Sequence, residues 1–177
     1  MSTELTLNLP EWQSNDVVYN PVAPADKEGR LANRGMIEAY QDMLKQYTGS
    51  EHGCRDELND NGLNEYFVGG AYIRSLFVPA GITVVSELWK KDRLWIIASG
   101  EVTLTTELGV QRIRGPYVQV APYGSKVAFF VHEPVLWFAI TGAESTNSED
   151  VEKEIVAKEY SEFTYPWDKL EYTGESK

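Results

Sequence analysis

Short apolar stretches separated by turn residues fill the middle of the chain. They are Tyr72–Val78, Ile82–Trp89, Leu94–Ala98, Val102–Thr106, Val110–Arg114, Tyr117–Ala121, Lys126–Val131 and Val135–Thr141. The breaks between them hold Gly or Pro, as at Ser99-Gly100 and Glu133-Pro134. Several short strands at this spacing are typical of an all-β sandwich or a small barrel.

Two flanking segments show helical spacing instead. Apolar residues recur every three or four positions and predict an amphipathic helix that Gly49 ends: Met36, Ile37, Tyr40, Met43, Leu44 and Tyr47. We interpret the Met and Tyr stripe of this helix as its packing face. A second helix is expected with Ser148 as its N-terminal cap, acidic residues in its first turn and Lys158 near its end.

The remaining flanks are polar. Residues 1–24 contain three prolines and predict an extended arm, and residues 49–64 predict a polar loop. Residues 161–177 form a tail whose aromatic side chains are expected to dock on a surface. We therefore divide the chain into an N-terminal arm, helix and loop (1–63), a β-barrel (64–143), and a C-terminal helix and aromatic tail (144–177).

The acidity of the chain is confined to its flanks. The 177 residues carry 16 basic and 27 acidic side chains, which gives a net charge of −11. Residues 72–143 have a net charge of +2, whereas residues 1–71 and 144–177 have −7 and −6. Nucleic acid and anionic membranes are therefore not expected partners, because both require a basic face. The acidic flanks are either solvated surfaces or docking surfaces for a basic partner.

One cysteine and two histidines limit the available chemistry. Cys54 cannot form an internal disulfide, so nothing requires an oxidising compartment. The longest apolar run, Val135–Ile140, is too short to span a bilayer, and the N-terminus lacks the positive region of a signal peptide. We expect a soluble, intracellular protein. His52, Cys54 and Asp56 lie close together, but no further ligands stand at a zinc-site spacing.

Two motifs resemble those of the cupin superfamily. The first motif begins with a glycine, and five residues separate it from the first ligand position. One residue separates the first and second ligand positions, and three separate the second and third. Six residues then lead to a closing glycine. The second contains Pro-X-Gly and a ligand position two residues beyond. The matching residues are Gly81, Glu87, Trp89, Arg93 and Gly100, and then Pro122, Gly124 and Val127. The resemblance implies a mainly β fold with a single cupin barrel, a double-stranded β-helix of jelly-roll type.

The same resemblance places metal ligands at Glu87, Trp89, Arg93 and Val127. Trp and Val offer no donor atom, and a guanidinium has no lone pair and repels a cation. Glu87 alone does not hold a divalent ion tightly. We therefore predict a cupin-like domain with no metal and no other cofactor.

The chain is also similar to small single-domain cupin-like proteins of bacteriophages and bacteria. The similarity covers roughly residues 64–163, and its main stretches are Tyr66–Arg74, Phe77–Gly81, Ala98–Glu107 and Glu149–Phe163. It implies the fold more than an activity.

Two readings of the barrel interior remain open. Glu87 and Arg93 either satisfy each other as an ion pair in a vestigial site, or Arg93 holds an anionic or carbonyl ligand. In the second reading, Tyr72, Arg74 and Trp89 line the pocket. His132 and Glu133 form no joint acid–base site, because neighbouring strand residues point to opposite faces, and we read them as a surface turn.

Two functions follow from these readings. The first is a non-enzymatic structural or assembly protein, such as a bacteriophage virion component, that acts through its arms and barrel surface. The alternative is a metal-independent binding domain or enzyme that uses Arg93 and Glu87 in the barrel. An interior filled by Trp89, Trp95, Phe129 and Trp137 favours the first, and an open cavity with convergent polar groups favours the second.

For either function we expect a homo-oligomer, because exposed sheet edges need covering. Other structural proteins of an assembly are the expected partners for the first function. The expected location is a virion if a phage encodes the chain, and otherwise the cytoplasm.

Overall fold

The computed structural model describes residues 27–48 and 62–165. In chain order the elements are α1 (Lys27–Thr48), β1 (Leu63–Val68), β2 (Ala71–Val78), β3 (Thr83–Val85), β4 (Leu88–Trp89), β5 (Arg93–Thr106), β6 (Gly109–Arg114), β7 (Tyr117–Ala121), β8 (Ala128–Gly142), α2 (Ser148–Ile155), β9 (Val156–Ala157) and a 3₁₀ turn (Tyr160–Glu162). The predicted mainly β fold with flanking helices is confirmed. The predicted arm, the loop with His52 and Cys54, and the tail beyond Tyr165 lie outside the described residues.

The strands form two sheets that share their central strands. The first sheet has the order β1-β2-β8-β5-β7 and uses the C-terminal half of β8 and the N-terminal half of β5. The second has the order β3-β8-β5-β6 and uses the other halves. β4 and β9 pair separately. All pairings are antiparallel and fit a cupin-type jelly roll, but in the described ranges the hydrogen bonds do not close a barrel.

The predicted breaks at Ser99-Gly100 and Glu133-Pro134 are bends within strands. The pairing of β5 with β8 shifts register between Ile97 and Val102. Gly100 has a φ of 91°, and a Cβ at this position would lie 2.2 Å from the carbonyl oxygen of Pro134. Only glycine tolerates both conditions, so it lets β5 and β8 pass from one sheet into the other. Two pairs of predicted short strands therefore become single strands of 14 and 15 residues.

The two sheets enclose one apolar core. Its buried members come from both sheets: Val78, Val84, Trp95, Ile97, Val102, Leu104, Ile113, Ala121, Val127, Phe129, Val131, Val135 and Trp137. The Trp95 and Trp137 rings meet edge to face with centroids 5.2 Å apart, and Phe129 lies 4.8 Å from Trp137. Aromatic contacts of this kind add stability beyond the area that they bury.

The predicted first helix is confirmed, and its predicted packing face is right for Ile37 and Leu44 but wrong for the Met and Tyr residues. Ile37 and Leu44 are the buried apolar residues, and they contact Val85 and Ala128 on the outer face of the second sheet. The Met and Tyr stripe is 41–79% exposed: Met36, Tyr40, Met43 and Tyr47. Helical periodicity places both rows on neighbouring sides of the helix, and only the contact with the sheet decides which row is buried.

A buried ion pair anchors α1. Glu107, in the turn after β5, accepts hydrogen bonds from Arg30 Nη1 at 2.9 Å and from Arg34 Nη2 at 2.8 Å. The Arg34 guanidinium also lies 3.9 Å from the ring centre of Tyr165, whose hydroxyl donates to the Gly124 carbonyl at 2.8 Å. Tyr165 is 3% exposed, so the start of the predicted aromatic tail docks on its own domain.

The N-terminal cap of the second helix lies one residue earlier than predicted. Asn147, not Ser148, caps α2 by accepting a hydrogen bond from the Asp150 amide at 3.0 Å. α2 ends at Ile155, before Lys158. Its buried side chains contact Tyr72 and Trp89, which holds the helix against the first sheet. Neither α1 nor α2 is long and apolar enough to cross a membrane.

Candidate functional site

A cavity of about 270 Å³ lies between the two sheets, beside α2. Aromatic side chains line it rather than fill it: Trp89, Trp95, Phe129 and Trp137. Its polar lining comprises Glu65, Arg74, Ser86, Glu87, Arg93, Ser148 and Glu152. The volume is near the lower end of small-molecule pockets, so the cavity suits a small ligand.

Strand pairing brings the cavity residues together. In the first sheet, Glu65 pairs with Arg74, Arg74 with Ala139, and Ala139 with Trp95. Residues that pair directly across antiparallel strands share one face of the sheet, so these four form a row on the inner face. The predicted residues Arg74, Glu87, Trp89 and Arg93 all line the cavity, whereas Tyr72 is fully buried beside it.

Arg93 is the most deeply buried cation of the cavity wall. It is the first residue of β5 and is 2% exposed. Its guanidinium lies 4.8 Å from the ring centre of Trp89 and 4.9 Å from that of Trp95. It donates to the Ser125 hydroxyl at 3.1 Å and to the Ser125 carbonyl at 3.3 Å. These contacts use two of its five N–H donors.

Arg93 has no carboxylate within 4.0 Å among the described residues, so the predicted ion pair with Glu87 is not formed. Burial alone lowers the pKa of the guanidinium to about 9. The side chain therefore remains a cation at neutral pH, at a position where it costs free energy to keep it charged. A buried cation without a counter-ion at a cavity wall is suited to binding an anion.

A second polar group lies on the same wall. Tyr72 donates a hydrogen bond to Glu65, and Arg74 donates to the Tyr72 hydroxyl at 2.9 Å and to Glu65 at 3.2 Å. Burial opposes ionisation of Glu65, yet hydrogen bonds from Ser148 and Tyr72 and the Arg74 charge hold its pKa below the ordinary value. Burial raises the pKa of Tyr72. Arg74 thus pairs with a carboxylate, whereas the part of the chain that the structure describes offers none to Arg93.

The residues at the metal positions of the cupin motif do not fit a metal. Trp89 and Arg93 stack on each other there, and Val127 is 1% exposed within the apolar core. Glu87 is the one oxygen donor of the four. Elsewhere in residues 27–48 and 62–165, no group of three His, Cys, Asp or Glu side chains is placed to hold an ion. The four motif residues therefore do not form a metal site.

His132 and Glu133 lie within β8 rather than in the predicted surface turn. The His132 ring nitrogen is 2.7 Å from the Thr103 hydroxyl, and Glu133 accepts from Arg114 at 2.7 Å. Both contacts are on the second sheet, away from the cavity lining. The pair therefore does not contribute to the candidate site.

Three polar residues at or beside the cavity were not predicted from the sequence. Glu65 was in a segment with no predicted strand, although exposure alternates along β1. Ser125 binds Arg93 from a turn, and Glu152 reaches the cavity from α2. The alternation of polar and apolar residues over Leu63–Val68 was the available signal for the first.

Comparisons with known proteins concern the fold alone. No family model matches the chain, and no curated protein matches it either. Similar solved structures include a cupin superfamily protein from Desulfitobacterium hafniense, with 18% identity over 48% of this chain and 80% of that one and a TM-score of 0.40. An RmlC-like cupin from Methanocaldococcus jannaschii is 15% identical over 46% and 78%, also at 0.40. A cupin-2 domain protein from Shewanella frigidimarina is 12% identical over 51% and 92%, at 0.39.

Proposed function

We propose that this chain is a metal-independent, cupin-like protein that binds a small organic anion in the cavity between its sheets, with Arg93 as the counter-ion. The observation that carries the proposal is the buried Arg93 guanidinium, which borders the cavity and has no carboxylate partner among the described residues. A bound anion gives this cation a partner that residues 27–48 and 62–165 do not supply.

The free energy of binding follows from this unpaired charge. A hydrogen bond to a charged group contributes about 1.5–3 kcal/mol, and Arg93 has three N–H donors beyond those that bind Ser125. A carboxylate can accept two parallel bonds from one guanidinium. Since water is largely excluded at 2% exposure, the attraction is stronger than at a surface.

The rest of the lining favours a flat apolar body on the ligand. Trp95, Phe129 and Trp137 are buried and form an aromatic wall beside Arg93. Rings bind such walls by offset stacking or edge-to-face contact. The ligand class that fits both features is an aromatic monocarboxylate of modest size.

A titration followed by tryptophan fluorescence tests the proposal, because three Trp side chains line the cavity. The probes are phenylacetate and its neutral counterpart phenylacetamide, which has nearly the same shape. We expect the carboxylate to bind at least about tenfold more tightly than the amide, since loss of one charge-assisted bond costs more than 1.4 kcal/mol.

A pair of variants locates the effect. Arg93→Gln removes the buried charge and is expected to abolish the preference for the carboxylate. Arg112→Gln is the matched control, because the Arg112 side chain is 63% exposed on β6 and pairs with Glu101. Equal affinity for the two probes, or an unchanged preference in Arg93→Gln, contradicts the proposal.

A second candidate is the assembly function expected from the sequence. The stripe of Met36, Tyr40, Met43 and Tyr47 on α1 favours it, because exposed apolar rows of this kind often contact a partner. The comparisons give no support for a bacteriophage particle. Measuring the native mass of the purified chain, and its presence in purified virions if a phage encodes it, tests this candidate: a monomer absent from particles contradicts it.

A further inference from the structure

The turn that holds Arg93 is in contact with the C-terminal segment of the chain. This turn, Pro122–Ser125, accepts two hydrogen bonds from Arg93, one at the Ser125 hydroxyl and one at the Ser125 carbonyl. The Ser125 hydroxyl donates in turn to the Pro122 carbonyl at 2.6 Å, which closes the turn. From the C-terminal segment, the Tyr165 hydroxyl donates to the Gly124 carbonyl at 2.8 Å. The Gly124 carbonyl belongs to the peptide bond that leads into Ser125, so Tyr165 and Arg93 bind neighbouring groups of one turn.

Tyr165 fits closely against this turn. A Cβ on Gly124 would lie 2.7 Å from the Tyr165 hydroxyl oxygen, and the φ of 68° at Gly124 also favours glycine. The rings of Tyr123 and Tyr165 are nearly parallel, at 7°, with centroids 6.4 Å apart. The Tyr123 hydroxyl donates to the Thr164 carbonyl at 3.1 Å. Since Tyr165 is 3% exposed, its hydrogen bond to the turn is shielded from water.

The same turn is bonded to the wall of the cavity. The Gly124 amide donates to the Trp89 carbonyl at 2.7 Å, and the Tyr123 amide donates to the Asp92 carboxylate at 2.7 Å. Asp92 directly precedes Arg93, and the Trp89 ring centre lies 4.8 Å from the Arg93 guanidinium. A shift of the turn would therefore move the acceptors of Arg93 and the ring beside it.

We propose that Tyr165 is a positioning residue for anion binding: its hydroxyl fixes the Gly124–Ser125 peptide, and Ser125 then orients the Arg93 guanidinium at the cavity wall. This inference rests on the function proposed above. The attraction between a cation and a ring face depends only weakly on rotation of the cation, so Trp89 and Trp95 hold Arg93 without setting the direction of its N–H groups. Hydrogen bonds to Ser125 are directional and do set it.

The fluorescence titration with phenylacetate and phenylacetamide, repeated on the full chain with Tyr165→Phe, tests the proposal. Phenylalanine keeps the ring that stacks on Tyr123 and contacts Arg34, and it removes only the hydroxyl. We expect the preference for the carboxylate over the amide to fall by about three- to tenfold, the factor that corresponds to one ordinary hydrogen bond. The affinity for the amide should not change, whereas general damage to the fold would weaken the binding of both probes.

Tyr160→Phe is the matched control. Tyr160 belongs to the same C-terminal segment, and its ring lies 4.5 Å from the same Arg34 guanidinium. Among residues 27–48 and 62–165, its hydroxyl has no hydrogen bond to the Pro122–Ser125 turn, so this variant should keep the full preference for the carboxylate.

Gly124→Ala tests the contact from the side of the turn and replaces Tyr165→Phe if that variant does not fold. Its Cβ would displace the Tyr165 ring, so the preference for the carboxylate should fall here too. Gly69→Ala is its control, because Gly69 has a φ of 56° but a Cβ there would meet no atom within 4 Å. Circular dichroism verifies that each variant is folded.

The outcomes separate this inference from the proposed function. A wild-type chain without a preference for the carboxylate overturns the proposed function and the positioning role with it. A wild-type preference that persists undiminished in Tyr165→Phe overturns the positioning role alone. An equal fall in Tyr160→Phe overturns the assignment of the effect to the Tyr165 hydroxyl.

Discussion

Replacing Arg93 with methionine should make the protein more stable while it removes anion binding. The pKa of this guanidinium falls from 12.5 to about 9 because of burial, which corresponds to roughly 5 kcal/mol against the charged form. Contacts with Trp89, Trp95 and Ser125 offset part of this cost and are lost in the variant. Since apolar residues of similar volume often replace buried ions with a gain, we expect Arg93→Met to raise the free energy of unfolding by about 1–3 kcal/mol.

The neighbours of Arg93 support this magnitude. The Ser125 hydroxyl also donates to the Pro122 carbonyl at 2.6 Å, and the Ser125 carbonyl also accepts from the Trp89 amide at 3.5 Å. Neither polar group is therefore left without a partner when the guanidinium is removed. A methionine side chain adapts to irregular apolar surroundings and fills most of the vacated volume.

Urea denaturation followed by far-UV circular dichroism measures the change, and Arg34→Met is the matched control. Arg34 is also a buried arginine, at 7% exposure, but it pairs with Glu107. Removing Arg34 should lower the free energy of unfolding by about 2–4 kcal/mol, because Glu107 then keeps Arg30 as its one charged partner among the described residues. If Arg93→Met lowers the free energy of unfolding by more than about 1 kcal/mol, Arg93 stabilises the fold, and the inference that it is an unpaired, destabilising cation is wrong.

Two further predictions concern pH and the bend between the sheets. The affinity for the anion should be constant near neutral pH and fall by about tenfold per pH unit above about pH 9. The reason is that only protonated Arg93 binds an anion, and the pKa of Arg93 is about 9. Ligand titrations across this pH range check the prediction, and the Arg93→Met variant should show no such fall. Gly100→Ala should cost about 3–5 kcal/mol in urea denaturation, because its Cβ meets the Pro134 carbonyl at 2.2 Å. Gly70 has a similar φ of 83°, but a Cβ there would meet no atom, so Gly70→Ala should lower the free energy of unfolding by about 1–2 kcal/mol. Equal losses of stability in the two variants would refute the role of the contact between residue 100 and Pro134.

The sequence predicted most β elements because most strands have their own apolar period, but it missed β1 and β9. It failed where a strand continues through turn residues. Gly100 and Pro134 are signals of a turn, yet they lie opposite each other in paired strands and produce a bend. Only long-range pairing distinguishes these two outcomes, and a local pattern does not contain it.

The sequence predicted which residues line the candidate site, but it did not predict which of them form ion pairs. The cupin spacing selected Glu87, Trp89 and Arg93, and all three line one cavity. The choice between an ion pair and an unpaired cation depends on a few ångströms of side-chain position. Arg93 lies between two tryptophan rings instead of against Glu87, and Arg74 has Glu65 as its counter-ion. The proposed anion binding rests on this difference between Arg93 and Arg74.

The most direct test of the central claim is a crystal structure of the chain with bound 4-bromobenzoate, whose bromine locates the ring by anomalous scattering. We predict the ring against Trp95 and Trp137, with carboxylate oxygens at about 2.8 Å from the Arg93 guanidinium nitrogens. An empty cavity at saturating ligand, or a carboxylate turned away from Arg93 toward Arg74, would contradict the account.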